Sequence, residues 1–466
     1  MPVIVLVADG ARPDILANAM RRGIVPSLSR MRDEGGMYTI TSVFPSVTGP
    51  AYAPFLMGRF PGPIGLPGLR WYDRERKTSR LPGHSRSYVG VEMRLIYGDI
   101  DPSAPTIFDL VPSSIGALNM INRGLDQSDR IGYGLPFVMR TAKTHFSGKV
   151  GGWLSIDKYI AGKVAEQIRL KRPDFVFAAL TGIDKISHSE GHSGAYVDQA
   201  LKIVDDTVAE IRRDAEERGQ WDVTHLWVVS DHGHSPVVQH DDLARFMGRM
   251  GFKTIAHPFV YSPRAEAAVM VSGNAMAHIY LDLASRERPY LPTMSEKWQP
   301  VRDALLARES VDLMIVPIAP GACEIHAHRR GHARMDWSDN HISYTPIKGD
   351  PLTLGFQYNL TLEEAYDLTF PTDYPDSLVQ ISRISDSPRS GEIILSAARD
   401  WDLRAKYEPI PHFSSHGALH RDHMLVPLLL NKPARSNPRR TVDVMPSALD
   451  ALGIPVPEGL DGRSFL

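Results

Sequence analysis

Short apolar runs alternate along the first half of the chain with stretches of helical periodicity. Three apolar runs predict buried strands: VIVLVADG (3–10), FVFAALTGID (175–184) and HLWVVSDHGH (225–234). The segment RPDILANAMRR, which follows the first run, predicts a helix. Buried strands that alternate with helices are typical of parallel sheets, so the pattern predicts an α/β fold.

The segment between the second and third strands has one apolar helical face. In GAYVDQALKIVDDTVAEIRRDAEERG (194–219), the apolar residues recur at alternating intervals of four and three positions. They are Val197, Leu201, Val204, Val208 and Ile211. We expect this helix to cross over between two parallel strands and to end near Gly219.

The pattern changes after the third strand. Residues 235–350 combine the apolar runs MAHIYLDL, VDLMIVPI and ACEIHAHRR with a helix-like KWQPVRDALLARE, an α+β set that predicts an inserted subdomain. Strands return in 390–404 and 423–431, and TVDVMPSALDALGI (441–454) predicts a closing helix. Residues 58–90, rich in Gly, Pro, Arg and Tyr, predict a long irregular loop near the functional site.

Composition narrows the class of protein. With 466 residues and 43% hydrophobic content, the chain can bury a large core. Its 52 basic and 54 acidic side chains nearly cancel, so no overall field draws it to nucleic acid or to an anionic membrane. Any anionic substrate must therefore be recognised by a local group of residues.

The sequence gives no reason to expect export. Its amino-terminal segment lacks a basic region before the apolar run, and no run approaches the roughly 20 apolar residues of a spanning helix. Cys323 is the single cysteine, which excludes an intrachain disulfide and suits a reducing compartment. We expect a cytoplasmic protein without stable membrane insertion, and the sequence leaves its oligomeric state open.

Each of the three predicted strands ends in an acidic residue: Asp9, Asp184 and Asp231. Ligands of open α/β sheets collect at the carboxyl ends of the strands, so these acids are expected on one rim. The alternative is that each aspartate only caps the helix or turn that follows it.

Histidines accompany these acids. His188 follows Asp184 by four residues, His232 directly follows Asp231, and His416 precedes a glycine in FSSHGALHRDH. Nitrogen and carboxylate ligands suit Zn²⁺, and Mn²⁺ or Fe also accept them. The nearby histidines at positions 420 and 423 are alternatives to His416.

Thr48 lies in SVFPSVTGPAYAPFLMGR (42–59), between a β-branched segment and a helix-like one. Two metals about 4 Å apart can hold the attacking and leaving oxygens of a displacement at phosphorus, and an alcohol nucleophile needs such activation. A hydroxyl at a helix start also faces backbone N–H groups. Thr48 is therefore the candidate nucleophile, with Thr41 and Ser42 as alternative hydroxyls.

Six motifs together resemble a known family. They are VADGARPD, FPSVTGPAYAPFLMGRFPGPIGLPG, TGIDKISHSEGH, VVSDHGHSP, SSHGALHRDHMLVPLLL and TVDVMPSALDALGIPVPEGLDGRSFL. In order and content they resemble the alkaline phosphatase superfamily, in its type I phosphodiesterase/nucleotide pyrophosphatase branch. The resemblance implies a three-layer α/β/α fold with a mostly parallel central sheet. Residues 1–240 and 400–466 would form the catalytic core, and residues 241–399 an inserted α+β subdomain or cap.

The same resemblance implies a catalytic site with two Zn²⁺ ions. Thr48 would attack phosphorus to form a covalent phospho-threonine, which water would then hydrolyse. One zinc would be held by Asp9, Thr48, Asp231 and His232, and the other by Asp184, His188 and His416.

The chain departs from the branch at its phosphate-recognition positions. Ala51 stands where relatives have an asparagine, and the usual histidine and asparagine are missing from GPIGLPGLRWYD. Candidate substrate contacts are Ala51, Tyr52, Arg59, Arg70, Trp71, Tyr72 and His234, and His234 has a supporting or surface role as its alternative.

We expect a hydrolase that acts on a small phosphate ester, with phosphodiesters or nucleotide pyrophosphates favoured. Alternatives on the same core are a phosphomonoesterase, a phosphonate hydrolase and a phospholipid-headgroup hydrolase. A metal-binding sensor without turnover is the non-enzyme alternative. No nucleic-acid polymer is expected as a partner.

Overall fold

A seven-stranded sheet, here called the core sheet, organises the chain. The computed structural model describes residues 2–75, 84–258, 261–262, 264–404 and 412–466. In spatial order the strands of the core sheet are Met37–Thr41, Leu425–Leu430, His225–Val229, Val3–Ala8, Phe175–Leu180, Ser114–Ala117 and Arg130–Ile131. Leu425–Leu430 pairs antiparallel with both neighbours, and the other strands share one direction. The predicted mostly parallel α/β sheet is confirmed.

Helices cover both faces of the core sheet, because successive strand residues point to opposite faces. One face, which includes Ile4 and Leu6, packs against Pro13–Arg21, Pro26–Gly35, Val150–Lys171, Gly182–Glu190 and Ala195–Glu217. The other face, which includes Val3, Val5 and Val7, packs against Ala53–Met57, Ile96–Asp99, Ile107–Leu110 and Val444–Leu452. The result is a three-layer α/β/α arrangement.

The helix predicted for 194–219 spans Ala195–Glu217. Its predicted apolar face is buried, with at most 2% exposure at Val197, Leu201, Val204, Val208 and Ile211. Its position between the strands Phe175–Leu180 and His225–Val229 makes it the expected crossover helix.

A second sheet of nine strands lies entirely within residues 254–397. In spatial order the strands are Thr254–Ala256, Ala267–Ser272, Met276–Leu281, Ile393–Ala397, Val311–Ala319, Ala322–Ala327, Gly331–Trp337, His341–Gly349 and Gln357–Thr361. Its neighbours pair antiparallel except for the first pair. The hydrophobic clusters that it forms include the helices Leu243–Arg249, Gln299–Leu306, Leu362–Thr369 and Ser377–Ser385.

The two sheets share hydrophobic core. Ala268, Met270 and Tyr280 of the second sheet belong to the same buried cluster as Val3 and Val5 of the core sheet. The treatment of 241–399 as a separate subdomain stays a prediction.

The remaining strands belong to two small sheets. Arg70–Tyr72 pairs with Ser85–Ser87, and a small three-stranded sheet joins Asp400–Asp402, Ser235–His240 and Ser414–Ser415. Further helices are Pro50–Tyr52, Gly90–Leu95, Gln127–Asp129, Leu135–Ser147, Trp221–Val223, Leu291–Thr293, Glu296–Trp298, Arg421–Met424 and Thr441–Asp443.

The prediction of one irregular loop over residues 58–90 was wrong where the chain is described. The strands Arg70–Tyr72 and Ser85–Ser87 form an antiparallel pair within it. The buried indole of Trp71 donates to the Tyr88 hydroxyl at 2.9 Å, which anchors this pair in the core. Residues 76–83 of the predicted loop lie outside the described residues.

Across the described ranges, no helix has the length and apolar character needed to cross a bilayer.

Candidate active site

Two of the predicted acids lie just beyond strands of the core sheet. Asp9 follows Val3–Ala8, and its N–H donates to the Leu180 carbonyl at 3.2 Å. Asp231 lies two residues after His225–Val229. Both side chains are fully buried. The parallel register of these strands thus brings two carboxylates, 222 positions apart in the chain, to one rim.

The third acid lies on a helix, because the strand predicted for residues 175–184 ends at Leu180. Asp184 is in the first turn of Gly182–Glu190, and His188 follows one turn later on the same face. The start of this helix is held by buried Asp157, whose carboxylate accepts hydrogen bonds from the N–H groups of Thr181 (3.0 Å) and Gly182 (2.8 Å). The helical turn gives the predicted Asp184 and His188 pair its common direction.

Thr48 occupies the turn between the strand Met37–Thr41 and the short helix Pro50–Tyr52. Its Oγ1 lies 3.1 Å from His232 Nε2 and 3.4 Å from Asp9 Oδ1. The turn requires glycine at position 49, where φ is +100° and a Cβ would lie 2.8 Å from the Met120 sulfur. The two helices that follow Thr48 in the chain, Pro50–Tyr52 and Ala53–Met57, are only three and five residues long. The environment of the Thr48 hydroxyl is therefore set mainly by nearby side chains and not by a helix N-terminus.

The first group of candidate metal ligands consists of Asp9, Asp231 and His232. His232 Nε2 lies 3.4 Å from Asp9 Oδ1 and 3.6 Å from Asp231 Oδ2. Burial, with the neighbouring carboxylates, raises the pKa of Asp9 well above its usual range and raises that of Asp231. This group sits directly beside the Thr48 hydroxyl.

The second group consists of Asp184, His232, His234 and His416. Asp184 Oδ1 lies 2.9 Å from His234 Nε2 and 3.4 Å from His416 Nε2. His188 joins the group, with its Nε2 at 3.1 Å from the same oxygen. Four imidazoles thus converge near one buried carboxylate.

The opposite ring nitrogens fix the orientation of three imidazoles. Nδ1 of His188 lies 2.8 Å from the Ser414 carbonyl, Nδ1 of His416 lies 2.9 Å from the Ser46 carbonyl, and Nδ1 of His232 lies 3.1 Å from the Gly233 carbonyl. A carbonyl can only accept, so each Nδ1 carries the proton. In a neutral ring with this orientation, the Nε2 lone pair faces the cluster.

The electrostatics of the cluster fit a cation. Burial lowers the pKa of His234 to about 3 and that of His416 well below its usual range, which keeps both rings neutral. Burial also raises the pKa of Asp184, but Lys185 and His188 outweigh it and hold that pKa well below its usual range. Neutral nitrogens with bare lone pairs then face carboxylate oxygens, and a metal ion is the group that satisfies both.

His420 and His423 lie outside this cluster. His423 Nε2 lies 2.8 Å from the Ser235 hydroxyl, and its Nδ1 accepts from the Ala418 N–H at 3.0 Å. His420 Nδ1 lies 3.6 Å from Asp422. Of the three histidines in FSSHGALHRDH, the structure brings His416 to the candidate ligands.

The alternative hydroxyls also have other partners. Thr41 ends the strand Met37–Thr41, where its hydroxyl lies near the Asp376 carboxylate, and the Ser42 hydroxyl donates to the Asp231 carbonyl. Thr48 therefore presents its hydroxyl to the two ligand groups.

Three candidate substrate contacts fall in different surroundings. Ala51 is buried in a hydrophobic cluster that includes Phe44 and Phe60. Tyr52 is fully buried, and its hydroxyl lies 3.5 Å from Asp9 Oδ2. Arg59 lies against the carboxyl-terminal segment, where a Cβ at position 459 would be 3.2 Å from its guanidinium. Tyr52 thus contacts a candidate ligand.

The other candidates lie on the short strand Arg70–Tyr72. Trp71 and Tyr72 are buried in the core cluster. Arg70 lines a small cavity together with Asp242 and His257. Substrate contact by Arg59 and Arg70 stays a prediction.

His234 joins the ligand group, which the sequence analysis did not anticipate. The sequence predicts for His234 a contact with substrate or a supporting or surface role. The available signal was its place two residues after His232, directly ahead of the strand Ser235–His240 that pairs with Ser414–Ser415. That pairing sets His234 Nδ1 3.2 Å from the Ser414 hydroxyl and turns Nε2 towards Asp184.

A turn of the second sheet completes the surroundings of His416. The His416 N–H donates to the Gly273 carbonyl at 3.2 Å, and the Ala275 N–H donates to the His416 carbonyl at 3.1 Å. Gly273 has φ of +60°, and a Cβ there would lie 2.8 Å from the His416 carbonyl oxygen. The turn between Ala267–Ser272 and Met276–Leu281 therefore holds a candidate ligand.

Comparisons with solved structures show the same architecture in known enzymes. Phosphonoacetate hydrolase from Sinorhizobium meliloti 1021 aligns with a TM-score of 0.60 at 16% identity, covering 97% of this chain and 96% of that chain. Murine ectonucleotide pyrophosphatase/phosphodiesterase 5 aligns with a TM-score of 0.58 at 15% identity, covering 99% and 98%. The human form has a TM-score of 0.60 at 13% identity, covering 99% and 97%. At these identities the likeness establishes the fold.

The sequence comparison identifies the family to which the protein belongs. A search of curated proteins finds no match. The model of the type I phosphodiesterase/nucleotide pyrophosphatase family matches residues 3–423, which is most of the chain. The protein therefore belongs to the type I phosphodiesterase/nucleotide pyrophosphatase family, a group of phosphoester-cleaving enzymes of the alkaline phosphatase superfamily.

Proposed function

We propose that the protein is a metal-dependent phosphodiesterase in which Thr48 is the nucleophile. The observation that carries the proposal is the position of Thr48 Oγ1, 3.1 Å from His232 Nε2 and 3.4 Å from Asp9 Oδ1. A hydroxyl among candidate metal ligands is placed for attack on an electrophile bound at the same ligands.

Two divalent cations, with zinc as the first candidate, suit the two ligand groups. Imidazole nitrogens and carboxylate oxygens are the usual zinc ligands, and Mn²⁺ or Fe accept the same set. The bare Nε2 lone pairs and the unpartnered Asp231 Oδ2 support this fit. One ion would be held by Asp9, Thr48, Asp231 and His232, and the other by Asp184, His188, His416 and, in addition, His234.

Bound divalent cations would supply Lewis-acid polarisation of the phosphoryl oxygens and would lower the pKa of an adjacent hydroxyl. Thr48 Oγ1 attacks phosphorus in line, and its proton leaves towards Asp9 Oδ1, the carboxylate oxygen that it faces. The new Oγ1–P bond forms while the bond to the leaving alkoxide breaks. Water then cleaves the phospho-threonine ester and regenerates the hydroxyl of Thr48.

Asp157, Tyr52 and Gly49 support this geometry. Asp157 fixes the start of the helix that carries Asp184, and the Tyr52 hydroxyl lies against Asp9 Oδ2 at 3.5 Å. Gly49 allows the turn that presents Thr48. The nucleophile and its neighbours are thus positioned before substrate binds, which is the arrangement that favours transition-state stabilisation.

The side chains in direct contact with the Thr48 hydroxyl favour a diester over a monoester. Among described residues, the side chains within hydrogen-bond distance of Thr48 Oγ1 are Asp9 and His232, neither of which is a Lys or Arg. A monoester carries one more negative charge at phosphorus and is better served by an extra cation. Ala51 is buried in a hydrophobic cluster and has no hydrogen-bonding side chain, so it cannot hold a phosphoryl oxygen as an asparagine at this position would.

A phosphonate hydrolase is the second candidate. The structural likeness to phosphonoacetate hydrolase extends over 97% of this chain. Buried Ala51 stands where the nucleotide pyrophosphatases have an asparagine. This difference in the phosphate-binding position is consistent with a phosphonate as substrate in place of a phosphate ester. Both candidates use the same metal ligands and the same nucleophile.

The test combines metal analysis with a substrate panel. The panel contains bis-p-nitrophenyl phosphate, p-nitrophenyl phosphate, a p-nitrophenyl phosphonate ester, p-nitrophenyl sulfate, phosphonoacetate and a nucleotide. We expect the diester to be preferred in kcat/KM. A preference for the monoester by about tenfold, or 1.4 kcal/mol of transition-state binding, would overturn the diester assignment.

Thr48→Ala tests the nucleophile, with Thr41→Ala as the matched control outside the ligand groups. We expect Thr48→Ala to keep most of its metal and to lose about a thousandfold or more in kcat. Unchanged turnover in Thr48→Ala would refute the assignment. Metal binding without turnover of any substrate would favour the alternative of a metal-binding sensor. Transfer of the phosphoryl group to an added alcohol without hydrolysis would favour a transferase.

A further inference from the structure

The helix Leu135–Ser147 presents its apolar stripe to solvent. Its apolar side chains recur at positions 135, 138, 139, 142 and 146, which fall on one face of a helix. The exposed fractions are 72% for Leu135, 44% for Val138, 63% for Met139 and 73% for Phe146. None of the thirteen residues of the helix is buried. An amphipathic helix ordinarily turns such a stripe towards the core.

The opposite face of the helix holds it on the protein. Phe137 stacks on Tyr159 of the next helix, with ring centroids 5.9 Å apart. Thr144 lies so close to Gly152 that a Cβ there would be 2.5 Å from the threonine methyl. Phe137 and Thr144 are half-buried. The contact face is therefore short and mixed, whereas the side chains of the apolar face are largely exposed, with a ring contact between Phe146 and the adjacent His145.

The segment around the helix is basic. Residues 130–156 contain no aspartate or glutamate, although the whole chain has a net charge of −2. Arg140, Lys143 and Lys149 lie on its exposed surface. An exposed apolar stripe flanked by basic side chains is the pattern of a helix that binds an anionic lipid surface.

The helix begins at the catalytic rim. It follows the strand Arg130–Ile131, whose carboxyl end points to the same edge of the core sheet as Asp9. The Tyr133 hydroxyl accepts from Asn122 Nδ2 at 2.8 Å and donates to the Asn119 carbonyl. Met120, in the same loop, lies against the Gly49 position beside Thr48.

We propose that the helix Leu135–Ser147 docks the protein on an anionic lipid surface. Its thirteen residues span about 20 Å, long enough to lie in the headgroup region with the apolar stripe facing the acyl chains. Peripheral docking of this kind requires no spanning helix.

A second copy of the chain fits the exposed apolar stripe less well than an anionic lipid surface does. Two helices paired through this stripe would bring Lys143 of both copies close to the shared interface without acidic partners in the segment. A stable dimer also hides about 800 Å² on each partner, which is more than one helix face about 20 Å long offers.

The test measures flotation of the full-length, metal-loaded protein with lipid vesicles. Phosphatidylcholine vesicles are compared with vesicles of phosphatidylcholine and phosphatidylglycerol in equal parts. We expect binding to the anionic vesicles, release on addition of salt, and little binding to the neutral ones. Failure to bind anionic vesicles, or equal binding to both kinds, would overturn the proposal.

Paired variants locate the docking face. Phe146→Glu and Met139→Glu should weaken partitioning into anionic vesicles by about tenfold or more, because each places a charge among the acyl chains. Lys143→Gln should weaken it about fivefold. Phe356→Glu, at a 64% exposed site of the second sheet region, is the matched control and should bind as the unmodified protein does.

Two further measurements separate docking from other effects. Hydrolysis of a soluble diester and the Tm should be unchanged in all four variants, since these side chains lie outside the ligand groups. Light scattering in the absence of lipid reports self-association. A dimer that Phe146→Glu dissociates would replace the lipid proposal with a second copy of the chain.

Discussion

Asp157 gives a quantitative test of how the helix carrying Asp184 is anchored. The Asp157 carboxylate is fully buried and accepts from the N–H groups of Thr181 at 3.0 Å and Gly182 at 2.8 Å. Burial raises the pKa of Asp157 to about 7 from its ordinary 3.8, although the two N–H groups oppose the shift. The folded protein therefore keeps a proton on Asp157 at pH values where the unfolded chain has lost it.

The sign of the pH dependence follows from proton binding. Between pH 3.8 and about 7 the folded state holds more protons at Asp157, so the free energy of unfolding falls as pH rises through this window. At about 1.4 kcal/mol per unit, the full window corresponds to about 4 kcal/mol, and the part above pH 5 to about 3 kcal/mol. Above the folded pKa the dependence ends.

The perturbation is Asp157→Asn, which keeps the shape of the side chain and removes its titration. Urea unfolding at pH 5 and pH 8, with a chelator present, gives the free energy of unfolding of each protein. We expect the stability of the unmodified protein relative to Asp157→Asn to fall by about 3 kcal/mol between pH 5 and pH 8. Other titrating groups are common to both proteins and cancel.

A pH-independent difference between the two proteins would refute this reasoning. It would mean that the two N–H groups stabilise the carboxylate as well as water does. Asp205→Asn is the matched control, because Asp205 is also buried and accepts a backbone N–H, that of Leu28 at 2.9 Å. It measures the general cost of exchanging a buried carboxylate for an amide.

Three further variants test other features. His234→Gln should weaken metal binding about tenfold or more by competition with a chelator, whereas His423→Gln should not; equal affinities would exclude His234 as a ligand. Gly273→Ala should lower the free energy of unfolding by about 2 kcal/mol, because φ is +60° there; an unchanged urea midpoint would contradict this. Asp376→Asn should cost about 3 kcal/mol by leaving buried Arg440 unpaired, and a loss below 1 kcal/mol would show that the guanidinium finds other partners.

Local patterns predicted the elements that build the rim. The strand Val3–Ala8 and the helix Ala195–Glu217 follow from the spacing of apolar residues, since that spacing is itself the packing requirement. These inferences need no knowledge of distant partners.

Features that depend on distant pairing escaped the sequence analysis. His234 reaches Asp184 because the strand Ser235–His240 pairs with Ser414–Ser415, about 180 residues later in the chain. The short strand pair Arg70–Tyr72 and Ser85–Ser87 is held by a buried hydrogen bond from the Trp71 indole to Tyr88, which the spacing of apolar residues does not predict. The direction in which an amphipathic stripe faces is also set by the surrounding structure, so the exposure of Phe146 cannot be read from periodicity.

The turn at Gly273 makes the site a product of both sheets. His416 comes from the carboxyl-terminal part of the chain, and its backbone pairs with the turn of the second sheet on both sides, through Gly273 and Ala275. The imidazole of His416 is therefore held in place only when the second sheet and the carboxyl-terminal segment are both folded against each other. Full metal binding should accordingly require both parts to be folded, and the stoichiometry of bound metal should report how much of a preparation has folded completely.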